Sequence, residues 1–450
     1  MKNTVLLISA NTYKDPYPVF PIGLSYIMAY LQEKKPEIQV KLMDLNLNPL
    51  EEIENFIKDF NPSYIGISFR NIDNQDSHIK FDFVSDYIKL VQLIRASSKS
   101  KIIIGGAAFS VYAEDLFNLL KPDFGITGEG EESLYQLINC LENSRDYRQI
   151  PGLVYEENQI ITVNPRSQFL KNLKPDFNND LIDYYWNESG ILNIQTKRGC
   201  PYDCIYCTYP LIEGTKVRNL NADFIVETLQ RLKIEKKINY VFFTDSVFNI
   251  NNDFNVELAE KIINSKINIR WGAYFSPHNL DKELLSLFKK SGLKHIEFGT
   301  ESISNTQLAN YSKHFKVEDI FNISDLCNEL GIYYAHFLIL GGYGETNETL
   351  KETFENSKKI VNAVFFPYIG MRIYPRTKLQ EYAIRDGIIS KDDNLIKPQY
   401  YISKNVDLSK MKEMAKSTGK NWIFPDDDMS EINEMMRIKN KKGLTWHLIR

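Results

Sequence analysis

Three of the five cysteines of this 450-residue chain fall within one short segment, Lys197-Arg198-Gly199-Cys200-Pro201-Tyr202-Asp203-Cys204-Ile205-Tyr206-Cys207-Thr208. The spacing is C-x3-C-x2-C. Three thiolates on one loop can ligate three irons of a cubane cluster and leave the fourth iron open, whereas a structural zinc site takes four protein ligands. An open iron implies reactivity. The competing readings are a zinc knuckle with a distant fourth ligand, or three ordinary core cysteines. Cys140 and Cys327 stand alone on helical patterns and read as core packing. Five cysteines in so long a chain make no disulfide framework.

The cysteine loop follows an apolar run, Ile191 to Thr196, that opens a series of strand-like segments: Tyr240 to Thr244, Ile269 to Tyr274, His295 to Gly299, Tyr333 to Leu340 and Phe365 to Ile373. Helical patterns lie between them, which predicts a parallel β/α barrel or a fraction of one. Ahead of it, Val5 to Ser9, Val40 to Asp44, Tyr64 to Ser68, Lys101 to Ile104 and Phe124 to Thr127 alternate with amphipathic stretches, the pattern of a doubly wound parallel sheet. In such sheets ligands sit outside the carboxyl ends of the strands. The expected organisation is α/β, with a Rossmann-like domain over 1–145, a linker with a hairpin over 146–190, a partial (β/α)6 barrel over 191–380, and a small, mostly helical C-terminal region over 381–450. That last region is rich in Lys and Met and ends near Trp446 and His447.

The cysteine segment resembles the cluster loop of the radical S-adenosylmethionine superfamily, C-x3-C-x-aromatic-C, with Tyr206 as the aromatic. The resemblance implies a four-iron, four-sulfur cluster on Cys200, Cys204 and Cys207, with S-adenosylmethionine chelated at the open iron and cleaved to a 5'-deoxyadenosyl radical. It also implies an electron donor such as flavodoxin or ferredoxin. Barrel-end residues are carried over as S-adenosylmethionine contacts: Tyr206, Asp245 and Ser246 after the second strand, Glu301 and Ser302 after the fourth, Ile339 and Gly341 at the fifth, and Arg372 at the sixth. Phe243-Thr244-Asp245-Ser246 replaces the Gly-Gly-Glu that many members carry there. Arg372 suits a carboxylate because a guanidinium forms forked hydrogen bonds.

The first domain has Ser9-Ala10-Asn11-Thr12 where a dinucleotide fold would have G-x-G-x-x-G, so a nicotinamide cofactor is not expected. It resembles instead the cobalamin-binding domain that precedes the radical domain in one large subgroup. The matching pieces are Pro21-Ile22-Gly23-Leu24, Gly66 to Asn74, the Gly105-Gly106 turn and Gly128-Glu129-Gly130-Glu131. The implied cobalamin contacts are Pro21, Gly23, Ser68, Arg70, Asn71, Asn74, Gly105, Gly106, Phe109, Gly128, Glu129 and Gly130. No D-x-H-x-x-G motif is present, and His78 lacks the spacing, so a loop residue or water would approach the lower face of cobalt.

A net charge of -4 and 43% hydrophobic residues describe a globular protein without the basic footprint of a nucleic-acid binder. No run approaches the length of a membrane-spanning helix, and the apolar start is too short for a signal peptide, so a cytoplasmic location is expected. The leading expectation is methylation of an unactivated carbon of a small-molecule, lipid or natural-product substrate. The same cofactors would also serve ring formation, rearrangement or aminocarboxypropyl transfer, and a sensor without turnover is the alternative from another class.

Overall fold

The computed structural model describes residues 4–428 except positions 15, 16, 79, 80, 167, 168, 171, 172, 176 and 178–180, and beyond 428 positions 434, 435, 438, 443, 444 and 446. Of the tail named above, His447 lies outside the described residues. The chain divides into two compact units, one comprising Met1–Asn74, Phe81–Glu188 and Leu211–Glu213, the other comprising Gln75–Lys80, Ser189–Pro210 and Gly214–Arg450.

In the first unit, aliphatic runs form β1 (Thr4–Ser9), β2 (Gln39–Asp44), β3 (Tyr64–Ser68), β4 (Lys101–Gly105) and β5 (Phe124–Ile126). They pair in parallel in the order β2-β1-β3-β4-β5. Both faces of a parallel sheet are covered, which is why these strands read as continuous apolar runs. The helices obey the same need for burial. In Glu131–Glu142, Leu134, Leu137 and Ile138 face the core while two glutamates occupy the first turn, where they complement the helix dipole. The strand order reverses between β1 and β3, and a crevice opens at the carboxyl ends beside such a switch point.

The hairpin of β6 (Leu153–Glu157) and β7 (Ile160–Val163) was expected within a linker. It instead pairs antiparallel with β5 and extends the sheet to seven strands. A hairpin's own sequence shows its turn but not the strand edge it will meet.

The second unit opens with β8 (Leu192–Ile194), then β9 (Lys197–Arg198) and β10 (Arg218–Asn219), which pair with each other. Next come β11 (Tyr240–Phe243), β12 (Arg270–Phe275), β13 (Leu293–Glu301), β14 (Tyr333–Leu340) and β15 (Val364–Ile369). With β8 first, these five strands make the expected six-stranded parallel partial barrel. The region after 380 adds more than helices. β16 (Met371–Arg372) pairs with β17 (Tyr400–Tyr401), and β18 (Asn421–Trp422) joins the edge of β15 as a seventh strand, where Trp422 stacks on Phe365.

The helix-side face of this sheet is packed with aromatics. Trp271 sits against Phe243, Phe248 and Phe288. Burying a side chain of that size contributes about 2–3 kcal/mol relative to leaving it in water. Phe288 belongs to a helix, Lys282–Ser291, started by the Asp281 side chain on the Leu284 N–H and stopped by Gly292 at φ +112°. A Cβ there would lie 2.0 Å from the Ile269 carbonyl oxygen, so only glycine turns this corner. His336 is fully buried on the same face between Phe298 and Phe365, hydrogen-bonded to Thr300 and Ser324, so it is a core histidine.

Candidate active site

The cysteine loop leaves the end of β8 and is fastened at its root by Asp245. This carboxylate accepts from the Thr196 N–H (2.7 Å), the Thr196 hydroxyl, the Lys197 N–H and the Lys197 ammonium (2.9 Å). Asp245 and Lys197 are both fully buried, and the ammonium also donates to the Phe248 carbonyl and lies over the Phe248 ring. Burial depresses the Lys197 pKa and Asp245 opposes that shift. Next along, the Ser246 hydroxyl donates to the Gly199 carbonyl at 3.3 Å. Gly199 itself has φ +91°, and a Cβ there would stand 2.2 Å from the Lys216 carbonyl oxygen. Asp245 and Ser246, expected to touch S-adenosylmethionine, thus support the loop that presents the cysteines.

Beyond the first cysteine the loop is held on two sides. The Ile205 N–H donates to the Tyr311 carbonyl and its carbonyl accepts from the Leu379 N–H, while the Tyr202 ring stacks on His314 at 3.6 Å. The Tyr206 hydroxyl donates to Glu301 Oε1 at 2.7 Å, and the Lys313 ammonium lies 3.4 Å from the same oxygen. Glu301 reaches this position from a register break in β13 with its backbone at φ +64°, a conformation a non-glycine residue adopts only where its surroundings enforce it.

Lys313 was not singled out from the sequence. Its neighbours give it a role. Burial pushes the Cys204 thiol up, and pushes Cys207 up to about 12, while the Lys313 charge pulls both down. In turn burial pulls Lys313 down, but Glu301 and the two thiols hold it above the ordinary lysine value. A buried cation beside two of the thiols fits the anionic ligand set that a cluster requires. Among the described residues no three His, Cys, Asp or Glu form a single-ion site. A cubane does not need one, since each thiolate takes its own iron.

The other expected contacts divide. Gly341, at φ +78°, donates its N–H to Glu345, whose carboxyl burial pushes up to about 7, and Ile339 offers its carbonyl to the Tyr311 hydroxyl at 3.2 Å. Ser302 is fully buried against Thr353. Arg372 is buried and donates to the carbonyls of Ile373, Leu395 and Gln399, so its fork stitches the C-terminal region to the barrel. The structure gathers Cys200, Cys204, Cys207, Tyr206 and Glu301 around one loop, and sets Ser302 and Arg372 to hydrogen bonds within the protein.

In the first unit the carboxyl ends of β3, β4 and β5 carry most of the expected cobalamin residues. Gly106, at φ +95°, passes so close to β3 that a Cβ would lie 2.5 Å from the Phe69 carbonyl and 2.9 Å from the Ser68 hydroxyl. Gly105 accepts from the Phe69 N–H. Gly128, at φ +74°, donates its N–H to Ser110, and Gly130 with Glu129 leads into the helix Glu131–Glu142. After β3, Arg70 is exposed, the Asn71 amide donates to the Asp73 carbonyl, and Asn74 accepts from the Phe81 N–H. Pro21 precedes the helix Ile22–Lys34. Gly23 is exposed with open space where a Cβ would be, so no steric demand explains it. Phe109 is fully buried and packs on Gly125, which makes it core.

Buried polar atoms that lack a partner among the described residues lie at the same edge: Asn71 Oδ1 after β3, Asn11 Nδ2 after β1 and Asn46 Oδ1 after β2. Asn46 is fixed by its amide to the Asn11 carbonyl at 2.7 Å and by its N–H to Asp44, which also accepts from the Tyr185 hydroxyl. A buried amide left unmatched costs free energy unless a ligand completes it. Such amides fit a cofactor fringed with amides, as cobalamin is. Asn11 and Asn46 were not among the expected contacts, since isolated asparagines in strand-end loops read as turn formers.

Fold and site together define an iron–sulfur enzyme of the radical type with a second, ligand-binding α/β domain. The profile of the Radical SAM superfamily matches residues 194–356 and that of the B12 binding domain matches residues 8–138. Residues 194–356 thus form a radical S-adenosylmethionine domain and residues 8–138 a B12 binding domain, and the cofactors are a [4Fe–4S] cluster, S-adenosylmethionine and cobalamin. It is 20% identical to the tryptophan 2-C-methyltransferase of Streptomyces laurentii, over 83% of this chain and 73% of that one. It is 27% identical to the anaerobic magnesium-protoporphyrin IX monomethyl ester cyclase of Cereibacter sphaeroides, over 52% of this chain and 40% of that one. The fold is shared with the radical S-adenosylmethionine methyltransferase TsrM of Kitasatospora setae, solved with tryptophan and a S-adenosylmethionine analogue, at a TM-score of 0.89 and 19% identity over 99% of this chain and 96% of that one. Among the described residues no helix is long and apolar enough to cross a membrane.

Proposed function

We propose that this chain methylates an unactivated carbon of a small-molecule or lipid substrate. One observation carries the reading: both domains occur in one chain, and a C-methyltransferase aligns with 83% of it, where a ring-forming cyclase aligns with 52%. When bound, the cluster supplies the electron that cleaves S-adenosylmethionine, and cobalamin supplies a carrier for its methyl group.

The residues supply position and charge. Cys200, Cys204 and Cys207 hold the cluster, and Asp245, Lys197 and Ser246 set the path of their loop. Lys313 offsets thiolate charge, and Glu301 keeps both Lys313 and Tyr206 in place. The backbone turn at Gly341, braced by Glu345, offers S-adenosylmethionine a fixed wall beside Ile339. Asn11, Asn46, Asn71 and the turns at Gly105-Gly106 and Gly128 to Gly130 hold cobalamin. A flavodoxin or ferredoxin in the cytoplasm delivers the electron.

The test is product analysis with S-adenosylmethionine, a strong reductant and a panel of substrates. Methylated product with S-adenosylhomocysteine supports the reading. A turned-over substrate that yields 5'-deoxyadenosine without either contradicts it and favours ring formation or rearrangement.

A further inference from the structure

The C-terminal region lays a strap across the turn that follows β14. The turn reads Gly341-Gly342-Tyr343-Gly344-Glu345, with Gly341 at φ +78° and Gly344 at φ +77°. Glycine loses more backbone freedom on ordering than any other residue, so a turn this rich in it keeps one shape only where neighbours impose that shape. One such neighbour is Tyr311, whose hydroxyl would stand 2.2 Å from a Cβ on Gly342.

The others come from one segment, 401–408. The Ser403 N–H donates to the Gly341 carbonyl at 2.8 Å, and the Ser403 hydroxyl donates to the Glu345 carbonyl at 2.7 Å. One buried serine thereby clasps both ends of the turn. Between them the Tyr401 ring meets Tyr343 edge to face at 5.5 Å. Leu408 fills the space beside Gly341, where its Cδ1 would lie 2.9 Å from a Cβ.

The strap is itself anchored at each end. At its start β17 pairs with β16, and the Tyr401 hydroxyl donates to Asp386 at 2.6 Å. At its far end the Asp407 N–H donates to Asn347 Oδ1 at 2.8 Å. The Ser403 hydroxyl also accepts from the Asn405 N–H at 3.2 Å, which aims its own proton at Glu345. Loops that merely connect a strand to a helix are ordinarily left mobile at the surface, so a clamp on this one marks a turn whose shape matters.

We propose that Ser403 is a positioning residue for S-adenosylmethionine: by clasping Gly341 and Glu345 it holds the glycine turn in its binding shape before the ligand arrives. That this turn meets S-adenosylmethionine rests on the function proposed above; the clasp does not. A turn ordered in advance spares the ligand the cost of ordering it. Removing the hydroxyl takes that donor from the Glu345 carbonyl, a loss that amounts to about fivefold in affinity.

Calorimetry with S-adenosylmethionine tests this on the full chain, prepared anaerobically with its cluster and cobalamin and without reductant. Hydrogen exchange of the 341–345 amides is followed in the same protein before S-adenosylmethionine is added. For Ser403→Ala the expected result is about fivefold weaker binding of S-adenosylmethionine and about fivefold faster exchange in the turn, with cobalamin affinity and iron content as in the wild type. Wild-type affinity for S-adenosylmethionine, or an equal loss for cobalamin, which marks a general loosening, overturns the proposal. Gly341→Ala separates the two claims. If it weakens S-adenosylmethionine while Ser403→Ala does not, the turn stays in the site and the strap alone is overturned; if it binds like the wild type, the turn leaves the site and the proposal falls with it. The expected pattern in a chain that forms no methylated product supports the strap and removes the methyltransferase.

Discussion

Glu297 offers a quantitative check on the barrel interior. Its side chain is buried on the inner face of β13 and accepts the Trp446 indole N–H. Burial pushes its carboxyl from 4.5 up to about 7, and the indole opposes that shift only in part. At about 1.4 kcal/mol per unit, the difference is worth about 3 kcal/mol. The sign follows from proton binding. The folded chain holds this proton more tightly than the unfolded chain, so the contribution is whole below pH 4.5, falls as pH rises toward about 7, and is lost above that.

Glu297→Gln keeps an acceptor for Trp446 but has no charge to gain. Other titrating groups cancel between the two proteins. The variant should match the wild type near pH 4.5 and exceed its stability by about 3 kcal/mol at pH 8, or roughly 6–12 °C in the melting of a unit this size. Melting curves of both proteins from pH 4.5 to 8 measure it. Parallel curves, with a difference that does not grow with pH, would refute a neutral, buried Glu297.

The loop supports make separate predictions. Asp245→Ala strands the Lys197 ammonium in the core and should cost about 3–5 kcal/mol, with loss of iron, as seen by melting and metal analysis. Gly199→Ala forces a Cβ to within 2.2 Å of the Lys216 carbonyl and should lower iron content while cobalt stays. Gly106→Ala forces one to within 2.5 Å of the Phe69 carbonyl and should do the reverse, lowering cobalt while iron stays, in samples assayed for both metals.

The parallel strands β1 to β5, β8 and β11 to β15 were legible because each is a short apolar run with glycines or polar residues at its ends, as in Val5 to Ser9 or Tyr333 to Leu340. The cysteine spacing was legible because all three thiols sit on one loop. What the sequence hid depends on long-range meetings. Lys313 and Tyr206 lie far apart in the chain and share Glu301 only because β13 ends above the loop. Asp245 stood where a family member would place a cofactor contact, but a lysine at 197 gave it an internal partner that no local pattern announces. Arg372 likewise found three carbonyls, two of them in a tail whose path was not predictable. The helical reading of that tail missed β17 and β18 because each is two residues long and is made by its partner strand.

The most direct test of the whole account is the metal content of the chain purified without oxygen, supplied with iron, sulfide and cobalamin, and desalted. About four irons and one cobalt per chain is the predicted result, with the iron lost in a Cys200→Ala, Cys204→Ala, Cys207→Ala variant that keeps its cobalt. Iron without cobalt, or zinc in the cysteine loop, would contradict it.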